Sequence, residues 1–305
     1  MKNILVTGGC GFVGSNLVDK LIIQGYNVLV IDDLSAGKKE HCNPKAKYIF
    51  SDIINVFSQP LNELGVLRVI PKHLTTDLQN IDTIFHLAGL ARIQPSFSRP
   101  CKTVQVNSYG TTLICEYAKK ISAKVIYAGS STFYYDKYAS PYTFSKWQGE
   151  QTLKMYSKIY DLDTAVARFF NVYGPRNPLI GKYTPVIAIF EEQMRSGDKL
   201  TIVGTGEQRR DFTHVDDICS GMIAMSKQSW SAEIFNLGTG VNYSINEIAD
   251  CFGGPKQYIP LRKNEAEAIV ADTAKTQELL GWKAERVLPD YIKEFLKNLN
   301  NEEQT

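Results

Sequence analysis

A strand, a glycine-rich turn and a helix follow one another without a spacer at the start of the chain. Lys2–Thr7 (KNILVT) is a short, continuous apolar run of the kind a strand buried on both faces requires. From Phe12 to Gln24 the spacing turns helical, with Phe12, Val13, Leu17, Leu21 and Ile22 recurring three to five apart, and Gly25 closes the helix. Between them, Gly9, Gly11 and Gly14 fit G-x-G-x-x-G, and Gly8, Gly11 and Gly14 fit the wider G-x-x-G-x-x-G. Glycines allow the tight turn and let a pyrophosphate approach the backbone, where N–H groups at the helix start meet its charge. A second strand, Asn27–Ile31 (NVLVI), ends in the acidic Asp32, which completes a dinucleotide-binding pattern. Asp32 is expected to accept hydrogen bonds from the adenosine ribose and to repel a 2′-phosphate, which favours NAD over NADP. Lys38 and Lys39 are the counterweight, read here as a solvated surface pair. Asp52, just after the third strand, is placed to contact the adenine edge.

Further strands are predicted at Lys47–Phe50, Thr83–Leu87, Val125–Ala128 and Thr164–Ala167, with helices at Asn107–Lys120 and Tyr142–Tyr160. This alternation predicts an α/β fold, a doubly wound parallel (Rossmann) sheet with right-handed crossovers. After about residue 170 the texture changes. Asn171–Gly181 is loop-like, Lys199–Asp211 holds a strand and a Gly-rich turn, and Glu233–Gly240 is another strand and turn. Short helices are expected at Asn246–Phe252 and Asp290–Asn298. The expected domains are 1–170 for the dinucleotide, with some later segments returning to it, a smaller mixed α/β substrate domain over 171–298, and a polar tail at 299–305.

Composition narrows the class. Of 305 residues, 44% are hydrophobic and 22% charged, which excludes disorder and fibrous repeats. Lys+Arg 34 against Asp+Glu 32 leaves a charge of +2, without the basic footprint of a nucleic-acid binder. No apolar run approaches the ~20 residues of a membrane helix, and Met1-Lys2-Asn3 leads straight into a strand with no room for a signal peptide. The six cysteines lack C-x-x-C spacing and read as reduced thiols, with no metal site. A cytoplasmic location is expected.

Tyr142 is the one tyrosine followed by a lysine four positions on, Lys146, and it begins a helix that Ser140 can cap and Pro141 can open. Residues i and i+4 share a face, so the ammonium can lie near the phenol. A phenol of pKa about 10 is a poor base at neutral pH, but a nearby cation favours the phenolate and makes Tyr142 a usable proton acceptor. Ala128-Gly-Ser-Ser-Thr-Phe-Tyr-Tyr135 sits at the C-terminal end of a predicted parallel strand, the edge where open α/β sheets bind ligands. A hydroxyl there, beside Tyr142, can share the moving proton.

Together these segments resemble the extended short-chain dehydrogenases/reductases, and among them the nucleotide-sugar 4-epimerases related to UDP-glucose 4-epimerase. The resemblance runs nearly end to end: VTGGCGFVGSNLV, IDDLSAG, SDI, FHLAGLA, VNSYGTT, AGSSTFYY, SPYTFSK, RFFNVYGPR, GTGEQRRDFTHVDD, IFNLGTG and ADTAKTQELLGW. It implies NAD contacts from Gly8, Gly11, Phe12, Val13, Gly14, Asp32, Asp33, Leu34, Ser35, Ala36, Gly37, Asp52, Ile53, Leu87, Ala88, Gly89, Asn107, Tyr142, Lys146 and Phe170. It makes Ser130 the catalytic hydroxyl, Tyr142 the base and Lys146 the cofactor-ribose lysine. It assigns Ser130, Thr132, Tyr142, Asn171, Thr201, Val203, Arg210 and Arg262 to a nucleotide-diphosphate sugar, and arginine forks suit a diphosphate. The bland reading of Arg210 is an ion pair with Asp211.

The chain departs from the pattern at Ala91, where a lysine is usual near the nicotinamide, at Gly129, at Tyr135, and at Arg262-Lys-Asn-Glu265. The implied reaction takes the C4 hydroxyl proton onto Tyr142 and inverts C4 through a transient 4-keto sugar. The alternative is a 4,6-dehydratase or a UDP-glucuronate decarboxylase; Ser130-Ser131-Thr132 lacks the carboxylate those motifs carry. A non-catalytic NAD-binding regulator is the alternative outside enzymes. In the family a tyrosine seven positions after the arginine matching Arg262 restricts substrates to plain hexoses. Ile269 stands there, which implies that N-acetylated UDP-sugars also fit. The helices at 107–120 and 142–160 resemble those of the family's homodimer interface.

Overall fold

The structure, a computed structural model, describes residues 2–58, 72–134, 136–179, 184–260 and 268–302. In chain order it runs β1 (Asn3–Thr7), α1 (Phe12–Ile23), β2 (Asn27–Asp32), β3 (Lys47–Phe50), α2 (Ile53–Phe57), α3 (Lys72–Gln79), β4 (Thr83–His86), α4 (Ile93–Ser98) and α5 (Pro100–Val104). A π-helical turn (Gln105–Tyr109) leads into α6 (Gly110–Ile121), followed by β5 (Lys124–Ser130), a 3₁₀ turn (Ser131–Tyr134), α7 (Pro141–Tyr160) and β6 (Thr164–Phe169). Then come β7 (Val172–Tyr173), α8 (Val186–Ser196), β8 (Leu200–Val203), β9 (Arg209–Asp211), β10 (Thr213–His214), α9 (Val215–Met225) and β11 (Ser231–Leu237). The chain ends through β12 (Asn242–Ser244), α10 (Ile245–Phe252), β13 (Lys256–Ile259), α11 (Ala274–Leu280) and α12 (Leu288–Glu302). Two compact units result: Met1–Arg168 with Cys219–Phe235, and Phe169–Ile218 with Asn236–Thr305.

The first unit is built on a seven-stranded sheet in the order β11-β6-β5-β4-β1-β2-β3. Neighbours β3–β2, β2–β1, β1–β4 and β4–β5 are parallel, in a register that sets Thr7 beside both Ile31 and His86. The order reverses direction between β1 and β4, so the crevice at the C-terminal ends of those two strands is the switch point at which doubly wound sheets bind ligands. Leu5, Ile31, Ile49, Ile84 and Val125 carry one face of the sheet into a core closed by Ile114, Cys115 and Leu153. Each such side chain contributes about 1.5–3 kcal/mol by leaving water.

In the second unit three short strand pairs, β7–β10, β8–β13 and β9–β12, frame a core of Tyr173, Phe190, Ile202, Phe212, Phe252 and Ile292. Two expectations change here. Asn171–Gly181 is not wholly loop, since Val172–Tyr173 pairs with β10. The strand expected near 233–240 is longer and forms the outer edge of the large sheet, beside β6.

Candidate active site

At the end of β1 the backbone leaves no room for side chains. Gly8 has φ 73°, and a Cβ on it would meet the Ala88 backbone nitrogen at 2.7 Å. A Cβ on Gly14 would lie 2.1 Å from the Gly8 carbonyl oxygen. Helix α1 starts at Gly11 with no side-chain cap, so the N–H groups of its first turn have no partner within the helix and attract negative charge. Asp32 receives the Cys10 N–H (2.9 Å) and the Leu34 N–H (2.8 Å) on its two oxygens. Burial pushes its pKa up while both bonds oppose the shift. Leu34 stands at φ 59°, Asp33 is capped by Ser35 (2.9 Å to the amide), and Gly37 packs so close that a Cβ would meet Cys10 at 2.7 Å. The segment from Asp32 to Gly37 is thereby laid over the glycine loop. Lys38 pairs with Glu40 (3.0 Å) and Lys39 lies over the Phe50 ring (5.2 Å), so both cations have other partners.

Asp52 caps α2 through the Ile54 N–H (2.9 Å) and binds Lys102 with its second oxygen (3.1 Å). Ile53 is a core residue. Across the switch point, the Leu87 N–H reaches Thr7 O (3.1 Å) and the Ala88 N–H reaches Thr7 Oγ1 (3.2 Å). Gly89 abuts Asn107 and Lys146: a Cβ there would lie 3.0 Å from Asn107 Oδ1 and 3.5 Å from Lys146 Nζ. Asn107, 1% exposed in the middle of the π-turn, clamps this loop. It accepts the Leu90 N–H (2.7 Å) and donates Nδ2 to Leu90 O and to Ser145 Oγ (both 3.0 Å). A π-turn aims a side chain that a regular helix would turn elsewhere, and such turns recur at functional sites.

Helix α7 carries the tyrosine and the lysine. Ser140 Oγ accepts the Thr143 N–H (3.0 Å) and Pro141 occupies the first turn, so the start of the helix is fixed by local sequence. Tyr142, partly exposed, lies near Ser130 at the end of β5. Ser130 Oγ already accepts from Thr132, both N–H (3.2 Å) and Oγ1–H (3.0 Å), which leaves its own proton to donate. Burial pushes the Tyr142 pKa up, with the Ser130 hydroxyl and then the charge of Arg92 opposing the shift. Lys146 Nζ donates to the Ala128 carbonyl (2.9 Å) and lies over the Tyr127 ring (4.8 Å). Burial brings Lys146 down to about 8, with Glu150 opposing the shift.

Taken together, a glycine cradle, a buried acid at the end of β2, and Ser130, Tyr142 and Lys146 gather at the C-terminal edge of one parallel sheet. The model of the NAD dependent epimerase/dehydratase family matches residues 4–238. The chain belongs to this family. It is 33% identical, over 99% of its length and 100% of the relative's, to a Methanocaldococcus jannaschii protein provisionally named UDP-glucose 4-epimerase. The crystal structure of UDP-glucose 4-epimerase from Thermotoga maritima with UDP-glucose is similar at TM-score 0.85 and 31% identity, covering 97% of this chain and 99% of that one. UDP-glucuronic acid 4-epimerase from Bacillus cereus, solved as a tyrosine-to-phenylalanine mutant with a fluorinated UDP-glucuronic acid and NAD, is similar at TM-score 0.82 and 26% identity, covering 99% of both.

The residues of this family member fit NAD by their own geometry: Gly8 and Gly14 admit no side chain, the α1 N-terminus is uncapped, and Asp32 retains lone pairs beyond its two backbone bonds. In the second unit, Asn171 Nδ2 donates to Asp211 O (2.9 Å), the Thr201 N–H and Oγ1 are both taken by the Gln193 amide (3.0 and 2.9 Å), and Val203 O accepts from Gln208 (3.0 Å). Arg210 donates Nη1 to Arg209 O (2.8 Å). Its neighbour Asp211 is fully buried and takes the N–H groups of Thr239, Gly240 and Ala271 (2.9, 2.9 and 3.1 Å), which replaces the surface ion pair with a loop-binding hub. Phe170 is fully buried beside Gly238, and Ile269 is 7% exposed with its main chain paired to Arg209 and Asp211. Arg262 and Tyr135 lie outside the described residues.

Sequence reasoning passed over Arg92, Glu150 and Arg168. Arg92 caps α4 at φ 91° and ψ 138°, a region that costs a non-glycine residue roughly 1–3 kcal/mol. Glu150 and Arg168 form a buried two-point ion pair (2.6 and 3.0 Å) behind Lys146. One signal for Glu150 was legible: it lies four residues past Lys146, on the same helix face.

Proposed function

We propose that the chain is an NAD-dependent nucleotide-sugar 4-epimerase acting on UDP-linked hexoses or N-acetylhexosamines through a transient 4-keto sugar. The observation that carries this reading is that Ser130 at the end of β5 and Tyr142 and Lys146 at the start of α7 stand at the sheet edge that carries the glycine cradle, with Lys146 Nζ bound to the Ala128 carbonyl of β5 (2.9 Å). Tyr142 accepts the C4 hydroxyl proton; Ser130, held by Thr132, donates to the phenolate and passes the proton between phenol and sugar. Lys146 orients the cofactor ribose, Asp32 holds the adenosine ribose, and the first turn of α1 meets the pyrophosphate. When bound, NAD supplies the hydride acceptor and donor for C4. Asn171, Thr201, Val203, Arg210 and Arg262 are assigned to the nucleotide diphosphate, so that the keto sugar can turn while its anchor stays.

Glu150, whose Oε1 would lie 3.1 Å from a Cβ on Gly129 beside Ser130, is buried and tied to Arg168. It cannot serve C5, which argues against dehydration and decarboxylation. Incubation with UDP-, dTDP- and GDP-sugars and NMR of the products tests the proposal: inverted C4 is expected, and a 6-deoxy-4-keto sugar or a pentose overturns it. UDP-N-acetylglucosamine is expected to turn over beside UDP-glucose; conversion of UDP-glucose alone removes the N-acetyl part. No helix among the described residues is long and apolar enough to cross a membrane, in keeping with a cytoplasmic enzyme. A homodimer through α6 and α7 is proposed from the apolar side chains α7 leaves exposed, Met155 (44%), Ile159 (60%) and Tyr160 (48%); a monomer by sedimentation at working concentration refutes it.

A further inference from the structure

Two cysteines far apart in sequence face each other at the glycine loop. Cys10 stands between Gly9 and Gly11 and is fully buried; Cys42 follows a 3₁₀ turn (Lys39–His41) and is half-buried. Their sulfurs are 3.6 Å apart. A disulfide bond is about 2.0 Å long, so the pair is about 1.5 Å short of bonding distance. Both backbones are fixed where they stand. The Cys10 N–H binds Asp32 Oδ2 (2.9 Å), and its carbonyl accepts the Lys38 N–H (3.1 Å) and His41 Nδ1 (3.2 Å). Just past Cys42, the Asn43 N–H donates to the Tyr48 hydroxyl (2.7 Å) and the Asn43 amide to Asp19 (2.6 Å).

We propose that Cys10 and Cys42 are a modification site, a dithiol that a low-molecular-weight disulfide closes into a disulfide bond, fastening the segment from Asp32 to Cys42 onto the glycine loop and slowing the exchange of NAD. Cys42, the more exposed, attacks one sulfur of the small disulfide; that S–S bond breaks, and the first small thiol leaves with the Cys42 proton. Cys10 then attacks Cys42 Sγ in the mixed disulfide. The second small thiol leaves with the Cys10 proton as the protein S–S bond forms. The protein loses two electrons and the small disulfide gains them. Burial, and then the Asp32 charge, push the Cys10 thiol pKa up, which makes Cys42 the point of entry. The fastened segment carries the residues assigned to the adenosine ribose, and it already lies against Cys10: a Cβ on Gly37 would come within 2.7 Å of it. A cross-link there leaves the cradle as it is and restricts the opening of the segment, which lowers the rate at which a bound dinucleotide leaves.

The effect on NAD rests on the reading of this loop as the dinucleotide site; formation of the bond does not. NAD-loaded protein carrying Cys101→Ser and Cys251→Ser, which removes the exposed thiols, is equilibrated in glutathione buffers from fully reduced to fully oxidised. Peptide mass spectrometry reads the link, and loss of radiolabelled NAD into excess unlabelled NAD is followed in each state. A Cys10–Cys42 disulfide that dithiothreitol reverses is expected, with NAD release slowed about tenfold in the linked protein. Adding Cys42→Ser should abolish the response to oxidation, and Cys42→Ala serves if the serine variant does not fold. Absence of the link under full oxidation, a glutathione adduct on Cys42 that goes no further, or an unchanged release rate in the linked protein overturns the proposal. So does a Cys42→Ser protein whose NAD release still slows on oxidation. A protein that forms the link but binds no NAD in either state would instead sink the dinucleotide reading, and the NAD effect with it, and leave the disulfide site in place.

Discussion

Replacing Arg168 with methionine tests how the active-site helix is held against the sheet. Its guanidinium forks onto Glu150 at 2.6 Å and 3.0 Å, with side-chain exposures of 5% and 3%, and lies 3.3 Å from the centre of the Phe133 ring. A Cβ on Gly129 would meet Glu150 Oε1 at 3.1 Å, so the pair abuts the strand that delivers Ser130. Arg168→Met strands a carboxylate in the interior, and breaking a buried pair this way costs about 3–5 kcal/mol. That is a large part of the roughly 5–15 kcal/mol typical of a whole domain. For a unit of this size each kcal/mol moves Tm by about 2–4 °C, so a fall of about 6–20 °C is expected. The double variant Glu150→Gln/Arg168→Met removes both charges and should recover much of the loss. Calorimetry of the wild type, the two singles and the double closes the cycle. A fall in Arg168→Met of less than about 1 kcal/mol, or a double variant no better than the worse single, refutes the reasoning.

Three further outcomes follow from the site. Tyr142→Phe should lower kcat by about 10²–10⁴ while leaving NAD affinity, read by calorimetric titration, near wild type; retained turnover removes the base assignment. Gly14→Ala forces a Cβ to within 2.1 Å of Gly8 O, so NAD binding should be lost with far-ultraviolet circular dichroism unchanged, and normal NAD affinity would contradict the cradle. The Lys146 pKa, near 8 in the fold against about 10.4 in the unfolded chain, has a definite sign. In that window the unfolded state holds the proton and the folded state does not, so NAD-free stability should rise with pH from about 8 to 9.5. Activity that needs the ammonium should fall over the same range. Urea melts of wild type minus Lys146→Met read the first trend, and a difference that falls with pH defeats the assignment.

Local signals made much of this legible. The glycine loop, the Ser140-Pro141 start of α7 and the alternation of β1, β2, β4, β5 and β6 each depend on neighbours a few residues away. Helices α8 and α9 escaped reading because VIAIF and VDDICSGMIAM carry apolar runs that a buried strand and a buried helix share. The π-turn at Asn107 left no local mark, because the bonds that aim its amide come from Leu90 and Ser145, far off in sequence. Thr132, expected to meet the sugar, gives its hydroxyl to Ser130, a pairing set by the 3₁₀ turn that follows β5.

The sequence by itself determined the strand–cradle–helix unit, the acid that follows it, and the tyrosine and lysine that share a helix face, since each follows from spacing along one element. Tertiary structure alone decided where the Lys146 ammonium lies, on the Ala128 carbonyl and over the Tyr127 ring, because both partners sit on β5. Only the packing of α7 against β5, and the desolvation that comes with it, fixes where that charge is held.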